Sequence, residues 1–140
     1  MDLNGKWNGF YEYGVGYELP FFGNRVEIEV NFNLDSEGNV RGSFTEPTSD
    51  FSVALDGELR GFINNELISF IKSYKSLPQI NEDFSGIEIT EGKLEIPYTG
   101  FIDHKNDAMY GDWVIEQEFV NNEGHNDIEY FTGIWILKRN

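Results

Sequence analysis

At 140 residues, with 39% hydrophobic and 16% aromatic content, the chain has the size and composition of one folded domain, residues 1–140, and not of a disordered segment. A formal net charge of −15 disfavours nucleic acid and anionic membrane surfaces as partners, and the lack of cysteine excludes disulfides and thiol chemistry. No run approaches a membrane span, and no basic segment followed by an apolar one precedes the first strand, so a cytoplasmic location is expected.

Strict alternation of apolar and polar residues dominates. In "RVEIEVNFNL" Val26, Ile28, Val30, Phe32 and Leu34 share one face, and Arg25, Glu27, Glu29, Asn31 and Asn33 share the other. This is the pattern of a half-buried antiparallel strand. Turn signals divide the chain into about eight such strands: 5–13, 25–34, 39–46, 53–63, 66–74, 93–103, 108–119 and 127–138. The one helix expected is a turn or two within 75–86.

The connections sort by length. "DSEG" at 35–38, "NN" at 64–65 and "HKND" at 104–107 are tight turns. The segments 14–24, 47–52, 75–92 and 120–126 are longer. In an up-and-down meander the tight turns fall at one end and the longer loops at the other. The expectation is an all-β fold: one antiparallel barrel with a closed end and a loop-rimmed mouth, roomy enough for packed side chains or one small ligand.

All three tryptophans follow a glycine by two positions: Gly5-x-Trp7, Gly111-x-Trp113 and Gly133-x-Trp135. Strand positions place all three toward the closed end, the glycine making room for the ring on the same face. Gly5-x-Trp7 on the first strand, the meander and the basic residues Lys138 and Arg139 closing the last strand resemble the calycin superfamily of lipocalins, fatty-acid-binding proteins and avidins. The resemblance implies a basic side chain, here Arg139 or Lys138, packed across Trp7, and a small-molecule cavity. Ending on strand eight is more similar to avidin, but the polar residues that hold biotin there are not evident in "NGFYEYGVGY". The chain also resembles nitrobindin in its opening strand, but His104 and His125 fall in expected loops, where they do not suit a haem ligand.

Inward positions near the mouth are the candidate ligand contacts: Tyr11 and Tyr13 on the first strand, Lys72 and Tyr74 on the fifth, Tyr98 on the sixth, Gln117 and Phe119 on the seventh. Tyr17 and Phe22, with Leu19 and Phe21, are expected to form a lid from the first loop, or the "ELPFF" cluster there a partner-binding or dimer patch. The competing reading is that the tyrosines fill core and that Lys72 snorkels or pairs with an acid. Strand eight is apolar on both faces, with Phe131, Trp135 and Leu137 on one and Tyr130, Ile134 and Ile136 on the other, which suits an oligomer contact or, equally, a neighbouring loop folded over it. No metal-ligand spacing, nucleophile motif or phosphate loop occurs, so no cofactor or metal is expected.

The leading expectation is a non-enzymatic binder of a small apolar or aromatic molecule. The alternative is an acidic interaction module that docks a basic protein such as a toxin or nuclease. A barrel enzyme ranks third.

Overall fold

Alternation in sequence becomes alternation in burial. Along Arg25–Leu34 the odd residues are exposed, while Val26, Ile28, Val30 and Phe32 are buried. A computed structural model describes residues 3–47, 49, 52 and 55–139 of the chain. Positions 53, 54 and 140, on which some sequence expectations fall, lie outside the described residues.

The strands are β1 (Gly5–Tyr13), β2 (Arg25–Leu34), β3 (Asn39–Glu46), β4 (Leu55–Asn64), β5 (Leu67–Tyr74), β6 (Leu77–Ile80), β7 (Ile87–Thr90), β8 (Leu94–Asp103), β9 (Ala108–Val120) and β10 (Asn126–Arg139). Eight of them close an antiparallel barrel in the order β1-β10-β9-β8-β5-β4-β3-β2, and β6 and β7 pair separately. Closure leaves no free sheet edge within the barrel.

The turns β2–β3, β4–β5 and β8–β9 share one end. Asn65 there adopts a left-handed φ of 57° in the hairpin between Asn64 and Leu67, a conformation that asparagine tolerates. At the same end Trp7 is fully buried beside Phe32, with ring centroids 6.4 Å apart. Its Nε1 donates to the Leu3 carbonyl at 3.0 Å. The Arg139 guanidinium lies 4.6 Å from the Trp7 ring centroid and donates to the Asn4 carbonyl at 2.9 Å. The closed end is therefore stoppered by an indole with a cation across it.

Two expectations are corrected. The segment 75–86 forms no helix: it opens a small hairpin in which Leu77–Ile80 pairs with Ile87–Thr90. "NEDFSG" between them is turn chemistry. The Asn81 N–H donates to the Gly86 carbonyl at 3.0 Å and Asp83 Oδ1 accepts from the Ser85 N–H at 3.0 Å. The second correction concerns two of the tryptophans. Only Trp7 sits at the closed end. Trp135 pairs with Tyr11 across β1 and touches Phe70 and Tyr98, which places it mid-barrel. Trp113 lies higher still, opposite Tyr98 and Gly133, and contacts Tyr11, Tyr13 and Tyr17. β9 has 13 residues and β10 has 14, so a residue five or six places from a strand end is already well up the wall.

The register also accounts for the glycines. β9 and β10 pair Trp113 with Gly133 and Trp135 with Gly111, so each Gly-x-Trp motif lies against the other, reversed. A Cβ at Gly133 would meet Trp113 Cε2 and Cζ2 at 2.4 Å. The Trp135 ring occupies the matching space beside Gly100, whose Cβ would meet Cζ2 at 2.9 Å. The room for each ring therefore comes from glycines on neighbouring strands.

Candidate functional site

The loop-bearing end holds a cavity of about 700 Å³. Its lining is aromatic on one side, with Tyr11, Tyr13, Tyr17, Tyr74, Tyr98, Trp113 and Phe131. The β6–β7 hairpin supplies Pro78, Ile80, Phe84 and Ile87 as a second wall, and Leu94, Ile96 and Ile115 complete the apolar part. Glu82, Glu129, Gln79 and Gln117 lie in the exposed parts of the lining, with half-buried Asn81, while Glu116 borders it from an outward-facing strand position.

Beneath this cavity lies a buried ion pair. Lys72 and Glu46 are both inward-facing by strand alternation, and Lys72 Nζ stands 2.9 Å from Glu46 Oε2 with side-chain exposures of 0% and 2%. Tyr11 donates to Glu46 Oε1 at 2.6 Å, Ser52 Oγ to the same oxygen at 3.4 Å, and the Tyr74 hydroxyl to Oε2. Lys72 also donates to Tyr98 Oη at 3.4 Å. Its Nζ is 4.1 Å from the Tyr11 ring centroid and within 5.4 Å of those of Phe44, Tyr74 and Tyr98. Burial of a bare ammonium is prohibitive, but here a carboxylate and four ring faces surround it.

The electrostatics follow from the burial. Desolvation lowers the Lys72 pKa from its ordinary value, with the Glu46 charge and hydrogen bond opposing. Desolvation raises the phenols of Tyr11, Tyr74 and Tyr98 well above theirs, and the neighbouring Glu46 charge adds to the effect. Tyr13 and Tyr17 are raised as well, again chiefly by burial. The cluster is thus a set of neutral hydroxyl donors around one committed ion pair. Lys72 and Glu46 are each other's charge partners, and Glu46 also accepts from Tyr11, Tyr74 and Ser52.

The first loop closes over this layer. Tyr17 packs on Tyr13, Trp113 and Phe131, with centroids 4.8, 5.9 and 5.0 Å away. Phe21 is buried against Tyr13 and reaches Phe84 of the β6–β7 hairpin. Phe22 and Leu19 point away and are 49% and 76% exposed.

Of the residues singled out from sequence, Tyr11, Tyr13, Tyr17, Lys72, Tyr74, Tyr98 and Gln117 come together around the cavity. Phe22 and Phe119 lie outside its lining, Phe119 being 40% exposed near the end of β9. Sequence reasoning missed Glu46 and Trp113 as part of this cluster. The signal for Glu46 was its parity: Val40, Phe44 and Glu46 fall on one face of β3, so an acid stood on an apolar face.

Trp113 carries one further feature. It is 3% exposed, and its Nε1 is buried without a hydrogen-bond partner. By contrast, Trp135 Nε1 donates to the Asp112 and Thr99 carbonyls at 3.0 and 3.2 Å. This donor is closed to solvent and lies on the ring edge packed toward Gly133.

The histidines take no part. His104 is in the β8–β9 turn at the opposite end, and His125 is exposed, its Nδ1 3.8 Å from Glu123. Among the described residues no group of three or more His, Cys, Asp or Glu is placed to hold a metal ion, and no helix is long and apolar enough to cross a membrane. Comparison of the sequence with protein-family models and with curated proteins gives no match.

Proposed function

We propose that the protein is a non-enzymatic barrel of calycin type that takes a small apolar or aromatic molecule in its mouth. The observation that carries this reading is the cavity of about 700 Å³, walled by tyrosine, tryptophan and aliphatic side chains at the loop-bearing end. That volume falls within the range of small-molecule sites. The Arg139 guanidinium across Trp7 supports the calycin comparison.

The test is titration with the neutral dye Nile red. Saturable uptake at one dye per chain is expected, with a shift of the Trp113 indole N–H resonance among the three indole signals in a ¹H–¹⁵N spectrum. Ile115→Trp, which fills the mouth, should abolish uptake while Phe62→Ser on the outer surface leaves it intact. Absence of saturable uptake by the wild-type chain would overturn the reading.

A second reading draws on the exposure of Leu19 and Phe22 beside the acidic rim. These would dock a basic protein partner, and Leu19→Ser with Phe22→Ser would then weaken that association without altering dye uptake.

A further inference from the structure

The charges around the cavity are one-sided. Lys72 is the one cation in the described lining, and its ammonium is committed to Glu46. The acids beside it, Glu82 and Glu129, are exposed, and the described lining holds no further base to oppose them. An anionic ligand would meet two rim carboxylates and no uncommitted cation in the described lining. The chain's net charge of −15 adds potential of the same sign.

The walls point the same way. Ring faces of tyrosine and tryptophan carry negative electrostatic potential and attract cations. This chemistry already operates one layer down, where the Lys72 ammonium sits 4.1 Å from the centroid of Tyr11, itself a lining residue. An amine entering from the mouth passes the acidic rim and then meets Tyr17, Tyr13 and Trp113.

Resting on the reading of the mouth as a ligand site, we propose that its ligand is an organic cation: an amine carried on an aromatic or apolar body. The rim carboxylates supply the counter-charge, the rings supply cation–π contact, and the aliphatic wall takes the body.

The test uses three probes with one ring system and different charge: 1-naphthylmethylamine, 1-naphthalenemethanol and 1-naphthoate. Isothermal titration at low salt should give an amine affinity roughly 10-fold above the alcohol, with the naphthoate weakest. Raising the salt to about 0.5 M should shrink the amine's advantage several-fold, because rim charges are screened. The exposed double change E82Q/E129Q should bring the amine affinity close to that of the alcohol measured on the same variant. Equal or tighter binding of the alcohol or the naphthoate would overturn the inference and spare the cavity reading. So would an amine that fails to bind while Nile red binds, or an amine preference untouched by the double change. Failure of all three probes together with Nile red would remove both.

Discussion

The Trp113 indole lies directly over Gly133, its cross-strand partner, filling the space that a side chain at 133 would need. A Cβ there would also stand 1.9 Å from the Glu12 carbonyl oxygen. Neither obstacle is the flexible tip of a side chain, so neither can yield cheaply. Gly133→Ala should cost about 1–3 kcal/mol or more in urea unfolding, as overpacked interiors do. It should also disturb the near-ultraviolet circular dichroism of the indoles. A stability within about 0.5 kcal/mol of wild type, the range of neutral surface changes, would contradict the packing described.

The Lys72–Glu46 pair predicts an asymmetric mutational response. Glu46→Gln leaves a buried ammonium without its counter-charge and should destabilise by about 3–5 kcal/mol. Lys72→Met leaves a carboxylate that still accepts from Tyr11 and Tyr74, so its cost should be smaller. Combining Lys72→Met with Glu46→Gln should be less damaging than the sum of the two, by about 2 kcal/mol or more, because contacting residues couple. Strictly additive losses would show that the two groups do not interact.

Alkaline pH should unfold the chain cooperatively. Five of the seven tyrosines, Tyr11, Tyr13, Tyr17, Tyr74 and Tyr98, have phenols raised above the ordinary value near 10. The folded chain holds these protons where the unfolded chain releases them. Their contribution to stability is complete below pH 10 and is lost as pH climbs above it. Lys72 acts in the opposite sense, since its lowered pKa adds stability as pH rises toward 10.5, but it is one amine against five phenols. Absorbance of tyrosinate at about 295 nm should therefore rise in a step that coincides with loss of near-ultraviolet dichroism. Gradual ionisation of these five with the dichroism intact would refute this.

At the closed end, Arg139→Ala removes both the cation above Trp7 and the donor to the Asn4 carbonyl. A loss of about 1–2 kcal/mol is expected. Arg139→Lys should recover part of it, since a lysine can still cover the ring but lacks the planar fork. Thermal unfolding of the three proteins provides the ranking, and equal stability of all three would remove the proposed stopper.

The barrel was legible because its signals are local. Alternation along Arg25–Leu34, the tight turn at Asp35–Gly38 and the Asn64–Leu67 hairpin are each set by a few adjacent residues. The β6–β7 hairpin was harder to see. Four-residue strands are too short for periodicity to separate them from a helical turn, although "NEDFSG" carried the turn chemistry. Phe21 and Phe22 show the same limit in a loop: adjacent phenylalanines have one composition, and only the fold buries the first and exposes the second.

The amino-acid sequence alone determined the eight alternating strands, the segregation of tight turns from long loops, and the inward face on which Lys72 and the tyrosines fall. These depend on period-two geometry, which each strand expresses by itself. The tertiary structure decided what the inward groups meet: Glu46 beneath Lys72, Gly133 beneath Trp113, and the hairpin across the mouth. Those partners are brought together by the stagger and closure of strands distant in the chain, a geometry that no single segment encodes.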